Sequence, residues 1–171
     1  AAKSFAMTYR AKLVGIAISI LANKAGIYGM IGGQSVDVEY TDRPVTKSQL
    51  EFIYELKTAA LLEAAMMIGA VLAGADDNQV KAAEQIAHHV GMAFQIRDDI
   101  LDVISTTEEL GKPVKSDEKN NKTTYVTIYG LDGASKLVEE YSHTAMTLLD
   151  QVCPNASFLK RLFEYLIVRK K

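Results

Sequence analysis

Proline stands at only three places in the chain, Pro44, Pro113 and Pro154, and at each of them a helical pattern stops. Inside a helix, proline deletes a hydrogen bond and clashes with the preceding turn. A chain that confines it to breaks therefore leaves long stretches open to helix. Strand signals are scarce by comparison, and the longest β-branched run, residues 123–128, is isolated. The pattern predicts one all-α domain over residues 1–171, without internal repeats or low-complexity tracts.

One helix is expected over residues 11–23 and a second over 25–39, interrupted at Gly32-Gly33, with a turn over 40–45. Thr46 and Gln49 have the spacing of a capping box, opening a helix that runs to about Ala73 and ends at Gly74. Its apolar residues Leu50, Ile53, Leu61, Ala64, Ile68 and Val71 recur at helical spacing. Asp77 or Asn78 is placed to cap the next helix, which carries Val80, Ala83, Ile86, Val90, Phe94, Ile100 and Ile104. Beyond Ser105 the pattern gives way to a polar, lysine-rich loop over 106–122, and two further helices are expected near 132–152 and 157–169.

Composition excludes several classes. With 49% hydrophobic and 23% charged residues the chain has enough apolar content to fold, so disorder is not expected. A net charge of −2 argues against a general nucleic-acid binder, which carries a basic excess. The only cysteine, Cys153, cannot form a disulfide within the chain, which suits a reducing, cytoplasmic setting. No uninterrupted apolar run approaches the roughly 20 residues of a membrane span, since residues 14–22 are broken by Gly15 and Ser19. Ala1-Ala2-Lys3-Ser4 leads into no secretory leader. The absence of an initiating Met, with helix-compatible sequence from the first residues, makes the chain an expected piece of a longer protein.

The chemistry concentrates in Gly91-Met92-Ala93-Phe94-Gln95-Ile96-Arg97-Asp98-Asp99-Ile100-Leu101-Asp102. Each helical residue advances by about 100°, which puts Gln95, Asp98, Asp99 and Asp102 on one face, with Phe94 and Leu101 packing behind. Like charges one turn apart repel by roughly 0.2–0.5 kcal/mol even when exposed. A hard divalent cation offsets that repulsion, and Mg²⁺ takes one or two carboxylates together with substrate phosphates. A solvated acidic face at a helix end is the plainer reading. Against it stands the following loop, where Lys112, Lys115, Lys119 and Lys122 are interleaved with Asp117 and Glu118. Carboxylates for a metal, beside lysines acting as point charges, are what a metal-bridged diphosphate requires.

Residues 91–102 resemble the second aspartate-rich motif of the polyprenyl synthetase family, the trans-isoprenyl diphosphate synthases that include farnesyl and geranylgeranyl diphosphate synthases. Three other stretches fit the same family in order. Gly33-Gln34-Ser35-Val36-Asp37 is similar to its Gly-Gln-x-x-Asp helix, and Leu56-Lys57-Thr58-Ala59-Ala60-Leu61 to its Lys-Thr element. Leu110-Gly111-Lys112-Pro113, continuing through Asp117 to Lys122-Thr123-Thr124-Tyr125, is similar to its loop after the aspartates.

The resemblance implies a helical bundle of the isoprenoid synthase type, incomplete at its N-terminus, and the C-terminal part of a Mg²⁺-dependent prenyltransferase. Its partners would be isopentenyl diphosphate and an allylic diphosphate. Asp98 would be the principal metal ligand, with Asp99 and Asp102 assisting. Lys57, Lys112 and Lys122 would contact the allylic diphosphate, with Lys57, Asp98 and Lys112 carrying the catalytic electrostatics. Thr58 and Gln95 would hydrogen-bond nearby, and Gln34 and Asp37 would line or brace the cavity. A homodimer is implied for the full-length form.

The family's first aspartate-rich motif has no counterpart. No acidic residue lies between Ala1 and Ser35, and Asp76-Asp77 has Val80 where a third carboxylate is needed. The chain alone is therefore expected to be inactive, and product length is set on a helix it lacks. A non-catalytic regulatory subunit and a terpene cyclase of related fold are the rival readings. Taken singly, Lys57 reads as a surface lysine and Gln95 as an ordinary polar residue. His88 and His89 read as structural, because neighbours on a helix diverge. Asp76-Asp77 reads as a capping turn and Cys153 as a buried helix-end residue. The tail Arg169-Lys170-Lys171 suits a helix C-terminus or a segment closing over the site.

Overall fold

The computed structural model describes residues 2–105 and 122–168, and the side chains of residues 7–105 and 122–167 within them. All regular structure among these residues is helical. Helix α1 runs over Ala2–Ala25, α2 over Met30–Glu39 and α3 over Lys47–Tyr54. A π-helical segment, Glu55–Ala59, carries α3 directly into α4, Ala60–Leu72. Helix α5 spans Asp77–Ile104, α6 spans Tyr125–Val152 and α7 spans Ser157–Val168.

Local chemistry sets most of the boundaries. Thr46 accepts from the Gln49 amide at 3.3 Å while the Gln49 side chain accepts from the Thr46 amide at 2.8 Å, the reciprocal capping box expected from the sequence. Helix α4 ends on Gly74 at φ +83, where Ala75 N–H donates to the Ala70 carbonyl and Gly74 N–H to that of Val71. This is the Schellman pattern that glycine permits. Asp76 caps α5, one or two residues before the expected Asp77 or Asn78. Its carboxylate accepts from the Gln79 amide at 2.9 Å.

Elsewhere the breaks fall differently. The second helix was expected to begin at residue 25 and to be interrupted at Gly32-Gly33. The chain instead turns at residues 26–29, with Gly29 and Ile31 N–H both donating to the Gly26 carbonyl, and Gly32 and Gly33 lie inside α2. The β-branched run at 123–128 is no strand: Thr124 caps a first helical turn with Thr127. Gly130, at φ 70, then kinks α6 just before the expected start at Asp132. Cys153 lies at a helix end as expected, but is exposed rather than buried.

The core forms two linked clusters. Leu50, Ile53 and Tyr54 of α3 meet Met92, Ala93, Ile96 and Ile100 of α5 and Tyr125, Ala134 and Val138 of α6. Further along, Ile86 and Val90 of α5 meet Ala145 and Leu149 of α6 and Phe163 of α7. Helix α1 contributes little to either, and its Met7, Val14, Ile18 and Leu21 are about half exposed or more. The stretch Met7–Glu39 is long and apolar enough, by length and composition, to cross a membrane, and almost none of it is buried. Counting uninterrupted apolar runs did not register it, because Gly15, Ser19 and Lys24 punctuate it.

Two glycines admit the π segment. A Cβ on Gly33 of α2 would lie 2.5 Å from the Lys57 amide nitrogen, and one on Gly91 of α5 would lie 2.7 Å from the Ala59 Cα. A buried carboxylate ties α5 to α3 and α6. Asp99, 7% exposed, accepts the Tyr54 hydroxyl at 2.7 and 2.8 Å and the Tyr125 backbone N–H, in the first turn of α6, at 3.0 Å.

Gly91→Ala is expected to lower stability by about 1–3 kcal/mol in urea unfolding, because a backbone contact must open. Gly69→Ala, on α4 with nothing within 4 Å of the added methyl, is expected to gain about 0.4–1 kcal/mol. Equal effects at the two sites would contradict the close approach. Tyr54→Phe removes a donor from a buried carboxylate and should lower stability by about 1–3 kcal/mol in the same measurement.

Candidate active site

Three of the four sequence motifs, and the end of the fourth from Lys122, lie on or beside the π segment. Conversion of one helical turn to π geometry displaces the side chains that follow, and such bulges concentrate at functional sites. Lys57 and Thr58 sit on it, both half-buried. The Lys57 ammonium donates to the Asp37 carboxylate on α2 at 2.6 Å. Lys122, three residues before α6, approaches the other oxygen of Asp37 at 3.7 Å. Residues of the Gly-Gln-x-x-Asp helix, the Lys-Thr element and the post-aspartate loop are thus drawn together by one carboxylate, 16% exposed at its side chain.

A cavity of about 370 Å³ opens beside this group. Its walls come from Asp37 and from the α2–α3 turn, including Thr41, Asp42, Arg43 and Val45, and it is closed by Lys122 and Thr123. The turn is pinned to the start of α6 by the Val45 N–H donating to the Thr123 hydroxyl at 3.2 Å. Gln34 does not join Asp37 here. It lines a separate shallow depression with Met30, Ile31 and Val38.

On α5, the carboxylates expected to share one face divide. Asp98 and Gln95 are half-buried, while Asp99 and Asp102 are buried. Asp99 is turned toward α3 and the α6 N-terminus, where it accepts the Tyr54 hydroxyl and the Tyr125 amide. Adjacent helical residues point about 100° apart, so Asp98 and Asp99 cannot serve the same neighbour equally. Asp98 and Asp102, one turn apart, keep a common stripe. Among the described residues no three or more His, Cys, Asp or Glu side chains converge as a closed metal cluster. Asp98 and Asp102, two oxygen donors one helical turn apart, fit Mg²⁺ in kind, since that ion takes few protein carboxylates and completes its shell with phosphate and water. Leu101 is buried and Phe94 half-buried. Lys112, Lys115, Lys119 and the tail 169–171 lie outside the described residues.

One polar cluster escaped the sequence reading. Glu63 on α4, 7% exposed, accepts from the Lys24 ammonium at the end of α1 and lies 3.1 Å from His88 Nδ1 on α5. Lys24 also binds Glu84 of α5. The available signal was a glutamate inside the otherwise apolar run Ala60–Leu72. The hydrogen bond to the Glu63 carboxylate raises the His88 midpoint above its usual value, against desolvation. His89 is pushed down by burial and by its charged neighbour.

Comparison with known proteins bears on the whole assembly. The sequence model of the polyprenyl synthetase family matches residues 2–156. Farnesyl diphosphate synthase of Geobacillus stearothermophilus is 38% identical over 152 residues, 89% of this chain and 51% of that protein. Geranylgeranyl pyrophosphate synthase of Capsicum annuum chloroplasts is 39% identical over 140 residues, 81% of this chain and 38% of that protein. Among solved structures, the Helicobacter pylori geranyltransferase complexed with magnesium and isoprenyl diphosphate superposes with a TM-score of 0.76 at 31% identity, covering 91% of this chain and 51% of that one. An FPP/GFPP synthase from Zymomonas mobilis gives a TM-score of 0.76 at 25% identity, with 91% and 51% covered. The chain spans about half the length of the relatives it matches. With that match running through all but the last helix of an all-α bundle, the chain belongs to the polyprenyl synthetase family.

Proposed function

We propose that this chain is the part of a trans-isoprenyl diphosphate synthase that grips the diphosphate of an allylic substrate while isopentenyl diphosphate is joined to it. The observation that carries the reading is the pairing of Lys57 and Lys122 on one carboxylate, Asp37, beside a cavity and on the element packed against α5. Lysines gathered on a shared counter-ion are positioned in advance to meet phosphate oxygens. Asp37 keeps them from repelling each other before substrate arrives.

Asp98 and Asp102 would hold Mg²⁺, with Asp99 bracing their helix through Tyr54 and the α6 N-terminus. When bound, the ion would neutralise charge on the departing diphosphate. Lys57, Lys112 and Lys122 would stabilise the same oxygens, and Thr58 and Gln95 would orient them by hydrogen bonds. As the allylic C–O bond breaks, diphosphate takes the electron pair. The double bond of isopentenyl diphosphate then adds to the allylic carbon, and a proton is lost. None of these steps requires an enzyme nucleophile. A cytoplasmic location and a homodimeric full-length form accompany this reading. Because the first aspartate-rich motif has no counterpart in the sequence, prenyl transfer would need helices supplied from outside this chain.

Equilibrium binding of an allylic diphosphate to the 171-residue chain, with and without Mg²⁺, tests the assignment. Mg²⁺ is expected to tighten binding in the wild type and not in Asp98→Asn. Lys57→Met should weaken binding about 10- to 100-fold, the range of a lost charge-assisted contact. Binding that ignores both Mg²⁺ and these substitutions would sink the proposal. In the same preparation no prenyl transfer to isopentenyl diphosphate is expected, and product formed by the chain alone would show that the second motif suffices.

A further inference from the structure

Outside the candidate active site, charged side chains from three helices converge on one buried carboxylate. Glu63 of α4 lies between the Lys24 ammonium, in the last turn of α1, on Oε2, and the His88 imidazole of α5 on Oε1. Lys24 completes a bridge to Glu84 on α5. The side chains of Glu63 and Lys24 are only 9% and 20% exposed, and those of His88 and Glu84 about a third, so their interactions are partly shielded from water. This matters more for α1 than for its partners, because α1 exposes most of its apolar side chains and lacks a deep seat in either core cluster.

We infer that a proton on His88 and the ammonium of Lys24 compete for the Glu63 carboxylate, so that the end of α1 is held firmly when His88 is neutral and loosened when it is charged. Lys24 attracts Glu63 and Glu84 at every pH near neutrality, but repels His88 only when the imidazole is protonated. Docking of α1 therefore opposes protonation of His88, and by reciprocity of coupled binding, protonation opposes docking to the same degree. The other charged and titratable groups around His88 are Glu55 on the π segment and Lys81, Glu84 and His89 on its own helix, with Tyr141 of α6 facing His89 at 5.7 Å between rings.

The sign differs between the two contacts. The raised His88 midpoint means that its bond to Glu63 stabilises the α4–α5 pairing fully below the ordinary histidine value, and that this contribution is lost as pH rises through the folded value. The hold on α1 runs the other way and weakens as pH falls through the same midpoint. His89, whose midpoint is lowered, contributes stability above the ordinary value that is lost as pH falls through its folded value. A separate substitution is therefore needed to tell its effect from that of His88. The inference does not depend on the catalytic reading. It bears on that reading only because α1 continues through the 26–29 turn into α2, which carries Asp37.

The test is an NMR titration of the histidine rings in the full 171-residue chain, which has three of them, assigned with His88→Gln and His89→Gln. In Lys24→Met the His88 midpoint is expected to rise by about 0.3–1 pH, which is about a two- to tenfold gain in proton affinity. An unchanged or lower midpoint overturns the competition. In the wild type, hydrogen exchange at the last turn of α1, corrected for intrinsic base catalysis, should show opening that grows by the same factor as His88 protonates. His89→Gln should keep that step and His88→Gln should abolish it. A step that survives in His88→Gln, or is absent from the wild type, overturns the inference without any need for a folded Lys24 variant.

Discussion

The π segment can lie where it does only because two helices approach it without side chains. Gly33 and Gly91 stand where any Cβ would strike the backbone of Lys57 or Ala59, at 2.5 and 2.7 Å. The constraint is steric and local, yet it sets the positions of α2 and α5 relative to the helix between them. Through α2 it brings Asp37 to Lys57, and through α5 it sets the stripe that carries Asp98 and Asp102. A residue of any other type at either position would move a helix, and with it one half of the charge arrangement. The glycines belong to the site although neither offers it a functional group.

The adjacent aspartates on α5 show how one acidic motif can divide its labour. Both are carboxylates at the same height on the helix, but the 100° between them sends them to different neighbours. Asp99 faces inward and accepts the Tyr54 hydroxyl, shared between its two oxygens, and a backbone amide at the start of α6. A helix N-terminus favours negative charge there, which lowers the penalty of burying the carboxylate. The outcome is a fixed orientation for the last turns of α5. That fixity is what Asp98 and Asp102 would need to present oxygens at a reproducible spacing, since misplacement of catalytic groups by about 1 Å is costly.

Much of this was legible in the residues. The Thr46–Gln49 box, the stop at Gly74 and the chemistry-bearing stretch 91–102 each depend on local rules, and local rules can be read from spacing. The misreadings share a cause, which is that the deciding partner is distant in sequence. Gly32-Gly33 looks like a break until α3 and the π segment are packed against it. The helix expected from about residue 132 starts at Tyr125, where Thr124 finds its cap and the Tyr125 amide finds Asp99. Leu61 fits the helical period of α4 yet is 39% exposed, because the π segment shifts the phase of the helix that follows it. Glu63 went unremarked because an isolated glutamate in an apolar run reads as a surface position. Only Lys24 and His88, 39 and 25 residues away in the chain, make it a buried one.

The distribution of burial also separates the parts of the fold that are held by packing from those held by charge. Helices α3, α5 and α6 share a core of large apolar side chains, so opening them exposes that surface and approaches the cost of global unfolding. Helix α1 buries little, and much of its outward surface is apolar. It packs along α4 without a fully buried side chain among its described residues, so a few partly buried ionic contacts at its end weigh proportionately more than in the α5–α6 core. Their strength responds to pH and salt in a way that packing does not. Helix α1 is therefore the element whose attachment solution conditions can alter while the α5–α6 core stays folded. Because α1 is continuous with α2, such an alteration would reach Asp37 before it reached the carboxylates of α5.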